Sequence, residues 1–205
     1  VNEHPVLSTN RNFSAPIRLM ANLSADDLRL MAARDSDPFN RWQAVQTLAG
    51  ALLVGNVTRL RAGQDPEVDE GLLDALAAIL ADKSLEPAFI AEALSPPSEA
   101  DVTREIGRDV DPDAIFRART ALRALMGLNL NAALTSTYES LAHNGPYSPD
   151  AVSAGRRLLK NVCLDLLAAT QESHAIRLAA KQYQAADNMT DRMAALSTLS
   201  MHDVA

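Results

Sequence analysis

A capping side chain stands beside a proline three times along this 205-residue chain, at Asp37-Pro38, Asp111-Pro112 and Ser148-Pro149. The pairing marks helix starts. At the first helical position the missing proline N–H is harmless and φ is already helical, while the preceding side chain accepts from the open N–H groups. Ser24-Ala25-Asp26-Asp27, Ser98-Glu99-Ala100-Asp101 and Thr190-Asp191 supply further starts, each with acids in the first turn where the helix dipole favours them. Ser95-Pro96-Pro97-Ser98 is a break, and Gly63-Gln64-Asp65-Pro66 and Asn144-Gly145-Pro146-Tyr147 are loops. Helices are predicted over about 25–34, 38–61, 69–82, 86–94, 98–107, 112–142, 149–169, 173–186 and 190–201. Composition agrees. Ala occurs 36 times and Leu 29 times against 17 for Val plus Ile, and Ala and Leu are strong helix formers. The expected class is all-α, with stacked antiparallel helices in an α-solenoid or superhelical array. No fixed sequence period repeats.

Apolar stripes at the helical period predict which faces are buried. One runs through Trp42, Val45, Ala49, Leu52, Leu53, Val57 and Leu60, placing Trp42 in the core. A second runs Ile115, Ala118, Leu122, Leu125, Met126, Ala133, Leu134, Tyr138 and Leu141. A third runs Val152, Gly155, Leu159, Val162, Cys163 and Leu166, with Gly155 small enough for close helix approach. The first 23 residues differ. Ile17-Arg18-Leu19-Met20-Ala21 roughly alternates behind Pro16 and predicts one strand, which has no partner nearby in sequence. Residues 1–23 therefore read either as an ordered tail on a helical domain over 24–205 or as the last strand of a sheet whose other strands lie upstream.

Charge and chemistry mostly exclude. The formal net charge of −7 opposes nucleic-acid binding, and no apolar run approaches the ~18 residues of a membrane span. The single cysteine, Cys163, cannot close an internal disulfide, so the chain reads as intracellular and cytoplasmic. No two of His4, His143, His174 and His202 stand at metal-ligand spacing, and Cys163 sits mid-stripe as a buried core thiol. Phosphate-loop, dinucleotide and nucleophile-elbow motifs are missing. Arg117, Arg119 and Arg123, and then Arg156, Arg157 and Lys160, read as solvated helix faces paired with acids. The triplets at Asn22, Asn56 and Asn188 read as chance or capping matches to the glycosylation pattern. No catalytic, cofactor-binding or metal residue is expected.

Four stretches carry a resemblance. Phe13-Ser14-Ala15-Pro16-Ile17, Asp35-Ser36-Asp37-Pro38-Phe39-Asn40-Arg41-Trp42-Gln43-Ala44, Ala93-Leu94-Ser95-Pro96-Pro97-Ser98-Glu99 and Asn188-Met189-Thr190-Asp191 occur in this order. Together they resemble the C-terminal half of bacterial aminopeptidase N, a zinc-dependent gluzincin family, over nearly the whole chain. The resemblance implies the end of a small β-sandwich followed by the first part of a large helical domain. It also implies a parent peptidase that removes N-terminal residues, with zinc and the catalytic groups in a domain outside these residues. The helical domain is then expected to cover the catalytic cavity and limit access to short peptides. Its expected partners are the catalytic domain of the same chain and the parent's peptide substrates. The competing class is a free-standing helical-repeat scaffold that binds a protein partner through a concave face.

A terminal repeat normally carries a polar outer face, whereas the last predicted helix carries Met193 and Leu196 with no evident cap. The isolated chain is expected to self-associate through that face or to fray at its final helix. Sedimentation should show mass rising with concentration, or hydrogen exchange an unprotected last helix; a strictly monomeric chain at high concentration with a fully protected C-terminal helix would contradict this.

Overall fold

The computed structural model describes residues 5–17, 21–142 and 147–202. Among them stand ten α-helices and no strand. In order they are α1 (Ala25–Arg34), α2 (Pro38–Arg61), α3 (Glu70–Ala81), α4 (Pro87–Ala93) and α5 (Glu99–Ile106). They continue with α6 (Pro112–Asn129), α7 (Asn131–Ser140), α8 (Ala151–Ala169), α9 (Ser173–Ala185) and α10 (Met189–Ser200). The expected starts are built as the capping chemistry requires. Ser24 and Ser98 each form a reciprocal capping box, with Asp27 and Asp101 respectively. Asp37 accepts from Asn40 N, and Asp111 accepts from Ala114 N. At the far end of α2, Gly63 takes φ 71°. Its N–H reaches Leu60 O and the Gln64 N–H reaches Arg59 O, a Schellman closure that needs a left-handed residue at this point.

The chain falls into two compact units. The first holds residues 1–85 and 96–119. Its interior is Ala44, Val45, Leu48, Leu53, Leu72, Leu76, Ile79 and Val102. Arg41 of α2 is buried with them: Nε donates to Ala32 O at 3.1 Å and Nη1 meets Asp82 at 2.8 Å. One guanidinium thus serves a carbonyl left open at the end of α1 and the carboxylate that closes α3. The Asp82 carboxyl is held down to about 2, first by the Ser84 hydroxyl and next by Arg41. Asn56, also buried, accepts from Glu67 N and donates to Glu67 O, pinning the loop between α2 and α3. Arg29 spans α1 to the Asp69 cap of α3 with two bonds, at 3.0 and 2.8 Å.

The N-terminal segment of the same unit clasps the start of α2. Asn12 N donates to Asp37 Oδ2, Asn40 Nδ2 donates to Ser8 Oγ and Thr9 O, and Arg11 bonds Ser8, Asp35 and Ser36. Phe13 stacks at a tilt on Phe39, and Phe39 on Trp42. Phe13 adopts φ 49°, a left-handed conformation costly for an aromatic residue and held here by these contacts.

The second unit holds residues 86–95 and 120–205. Leu164, Ala179 and Ala195 meet at its centre, flanked by Tyr138, Leu178 and Leu199. Helices approach closely at two glycines. A Cβ on Gly155 would stand 3.1 Å from both the N and the Cβ of Ala88 in α4, so the expected close approach is present. A Cβ on Gly127 would stand 2.2 Å from Leu166 O in α8.

Several sequence expectations need correction. The single helix over 112–142 is two, divided at Leu130 (φ −100°, ψ 9°). Asparagines flank the division, and Asn129 Nδ2 bonds Leu125 O, the local competition that weakens a helix. The cap of α8 is Asp150, which accepts from Ser153 N; Ser148 bonds that carboxylate instead, so Pro149 lies before the helix. Val152, in the first turn, is 70% exposed, and Ala133 is exposed as well. The last helix begins at Met189, capped by Asn188 rather than Thr190. Trp42 is half-buried, because the buried face of α2 is centred on Arg41, Val45, Leu48 and Leu53. Of the expected strand, Arg18, Leu19 and Met20 lie outside the described residues.

The Gly127 contact is backbone to backbone and has no flexible side chain to give way. Gly127→Ala should lower unfolding free energy by ~1–3 kcal/mol, read by chemical denaturation. A change under ~0.5 kcal/mol would mean the two helices separate freely there.

Candidate functional site

Among the described residues, those singled out in the sequence do not converge on a catalytic centre. His4 and His143 lie outside the described residues. His174 is exposed in the first turn of α9, and His202 follows α10. Cys163 is fully buried in α8, and burial pushes its thiol up to about 12. A thiolate is the reactive form, so this sulfur is a core atom. Zinc finds no set of donors here: among the described residues no three His, Cys, Asp or Glu side chains could share an ion. Likewise, among these residues no helix is long and apolar enough to cross a membrane.

The arginine clusters divide. Arg119 donates to Pro97 O and reaches Glu99 at 3.4 Å, while Arg123 reaches Asp165 at 2.5 Å. Those two are surface pairs, as expected. Lys160 is not. Its ammonium sits 2.7 Å from Asp191, with side-chain exposures of 16% and 8%. Taking such a pair out of water is costly unless its remaining bonding capacity is filled, and a network fills it. Asn161 Nδ2 donates to Asp191 Oδ1. Gln182 Nε2 donates to Asn161 Oδ1 and Asp191 O, and the Tyr138 hydroxyl donates to Gln182 Oε1. Tyr138 is pushed up to about 12, first by burial and then by the Asp191 charge. Four helices, α7 to α10, are joined through these five side chains.

The network forms one wall of a cleft of about 90 Å³. Arg156, Arg157 and Lys160 line it from α8, Asp187, Asn188 and Asp191 from the start of α10, and Tyr147 and Ser148 from the loop before α8. Arg157 lies over the Tyr147 ring, 4.8 Å from its centroid, and Nη1 donates to Ser148 O. Arg157 and Lys160 are thus held in fixed positions beside the cleft. Sequence reasoning flagged its three basic residues but read them as solvated surface. The signal that it missed is Asn188-Met189-Thr190-Asp191, where Asn188 caps α10 and so aims Asp191 at Lys160.

In the first unit, a shallower groove runs between α2 and α5. Trp42, Gly50 and Val102 form its apolar floor, and Asp101 and Glu105 its acidic rim.

Comparison with known proteins gives a consistent picture. A family described as a domain of unknown function (DUF3458_C) with ARM repeats matches residues 25–205. Aminopeptidase N of Caulobacter vibrioides is 38% identical across 95% of this chain and 22% of its own length. Aminopeptidase N of Escherichia coli is 33% identical across 94% and 22%, and that of Haemophilus influenzae 30% across 94% and 22%. The crystal structure of Legionella pneumophila aminopeptidase A in complex with aspartic acid superposes with a TM-score of 0.74 at 24% identity. It covers 93% of this chain and 23% of that one, a likeness of fold. The chain spans about a fifth of the length of the curated relatives it matches. The resemblance to the C-terminal part of aminopeptidase N, and the all-α class, are both borne out.

The Lys160–Asp191 pair generates a stability prediction. Asp191→Asn removes the charge and leaves Lys160 largely buried without its counter-ion. The variant should lose about 3 kcal/mol in denaturant unfolding. A loss below ~1 kcal/mol would mean that the network does not join these helices.

Proposed function

The chain belongs to the DUF3458_C family of ARM-repeat domains, and from that premise we propose that it is the non-catalytic helical region of a zinc-dependent aminopeptidase. The parent removes N-terminal residues from peptides. One observation carries the reading: similarity to proteins named aminopeptidase N runs through 95% of the chain, yet the chain contains no His-Glu-x-x-His. A zinc peptidase of that type needs two imidazoles four residues apart with a carboxylate base between them. Those groups then belong to the parent's catalytic domain, this region's partner in the same chain.

Within the parent the helical region covers the active-site cavity and restricts entry to short peptides. Residues 1–23 are the end of an upstream domain and its linker, a boundary supported by the family match beginning at residue 25. Helix α10 exposes Met189, Met193 and Leu196, spaced to share a helix face. In the isolated chain that apolar face drives self-association. The reading places the protein in the cytoplasm.

The test uses elemental analysis and a chromogenic aminopeptidase assay. The 205-residue chain should hold no stoichiometric zinc and give no turnover. The parent should show both, and should lose discrimination by peptide length when this region is deleted. One equivalent of tightly held zinc with measurable turnover in the 205 residues alone would overturn the reading.

A further inference from the structure

The groove between α2 and α5 joins an aromatic ring, an open floor and two carboxylates, and no basic side chain lines it. Trp42 is the single tryptophan of the chain. Its ring meets Phe39 with centroids 5.8 Å apart, and the half-buried remainder borders the groove. Val102, fully buried, closes the floor from α5. Gly50 keeps that floor low. A glycine inside a helix is destabilising relative to alanine. At Gly127 and Gly155 neighbouring helices occupy the space that a side chain would take, whereas a Cβ on Gly50 would meet nothing within 4 Å. The space beside Gly50 belongs to a groove of about 440 Å³, within the roughly 300–1,000 Å³ typical of ligand pockets.

The charge at the rim selects the occupant. Asp101 and Glu105 stand four residues apart on α5 and share one side of the helix. Asp101 is committed: Oδ1 takes Arg104 at 2.9 Å, and Oδ2 accepts from Ser98 N and Oγ. Glu105 is exposed and, among the described residues, makes no ion pair or hydrogen bond. An apolar floor edged by an unpaired carboxylate suits a group that is apolar along its stem and cationic at its tip. An arginine side chain has that form, and its planar guanidinium both stacks on an indole and matches a carboxylate. A second copy of this chain, itself at −7, is opposed by charge.

We propose that this groove docks an arginine-bearing peptide segment, with the guanidinium over Trp42 and against Glu105. The site lies within the first unit and does not depend on the peptidase reading.

Trp42 reports on the groove directly, because no other tryptophan contributes to the emission. The probe is acetyl-Leu-Arg-Leu-Arg-Leu-amide, titrated into the 205-residue chain beside its citrulline counterpart, which keeps the shape and loses the charge. The arginine peptide should change Trp42 fluorescence saturably, and the citrulline peptide should bind about tenfold more weakly. Glu105→Gln should weaken the arginine peptide about threefold. Gly50→Leu fills the floor where a Cβ has room, so it should keep the helical circular dichroism and abolish the response. Should Gly50→Leu fail to fold, Glu105→Gln, at an exposed position, gives the deciding comparison. No saturable response, equal affinity for the two peptides, unchanged affinity in Glu105→Gln, or a full response in folded Gly50→Leu would each overturn the proposal. So would a peptide-free Trp42 signal that changes on dilution in the parent sequence but not in Gly50→Leu, since a second copy would then fill the groove.

Discussion

Every helix end leaves up to four N–H or four C=O groups without an intrahelical partner, and a chain built from many short helices meets that cost repeatedly. The structure answers it in two ways. At helix starts the answer is local: Ser24, Asp37, Asp69, Ser98, Asp111, Asp150 and Asn188 each accept from an N–H three residues ahead. At helix ends and junctions it is long-range, and there polar side chains enter the interior. Arg41 closes α1 and α3 from within α2. Asp191, fixed by its own helix cap, organises Lys160, Asn161 and Gln182. Packing of Ala and Leu faces supplies burial, but these side chains decide which helix end meets which neighbour.

Each unit thus has an apolar core bordered by a satisfied polar centre, and the features exposed at its surface follow from that. In the first unit Asp37 does double duty, capping α2 and holding the N-terminal segment by Asn12 N. The aromatic series Phe13, Phe39 and Trp42 then leads from the clasp to the groove beside α5. In the second unit the Lys160–Asp191 pair forms a wall of the arginine-lined cleft. Neither place holds the donors of a catalytic metal among the described residues.

What the sequence made legible was local. Capping residues and prolines act within four positions, so the nine predicted helix starts fell within two residues of observed ones, while the start of α7, which has no side-chain cap, was missed. Cys163 in an apolar stripe was readable as core, and Gly155 as a close approach. What stayed hidden depends on partners far along the chain. Arg41 meets Asp82, 41 residues on, and Lys160 meets Asp191, 31 residues on. Trp42 was misplaced for the same reason. Asn40, Arg41 and Asn56 belong to the buried face of α2, so a stripe drawn through apolar residues alone is rotated about the helix axis. Gly127 lies outside the apolar stripe read along α6, with no sign in the sequence that a backbone carbonyl will occupy its side-chain space. The arginine cleft was half legible: its cations are evident, but only the fold shows that, among the described residues, no acid pairs with Arg156 or Arg157 there.

Determining the full reading frame that encodes these residues bears hardest on the claim that this is the helical region of a zinc aminopeptidase. The predicted result is a frame that continues upstream of Val1 and contains His-Glu-x-x-His with a downstream third ligand. A start codon beside Val1, with no such motif in the encoded protein, would contradict it.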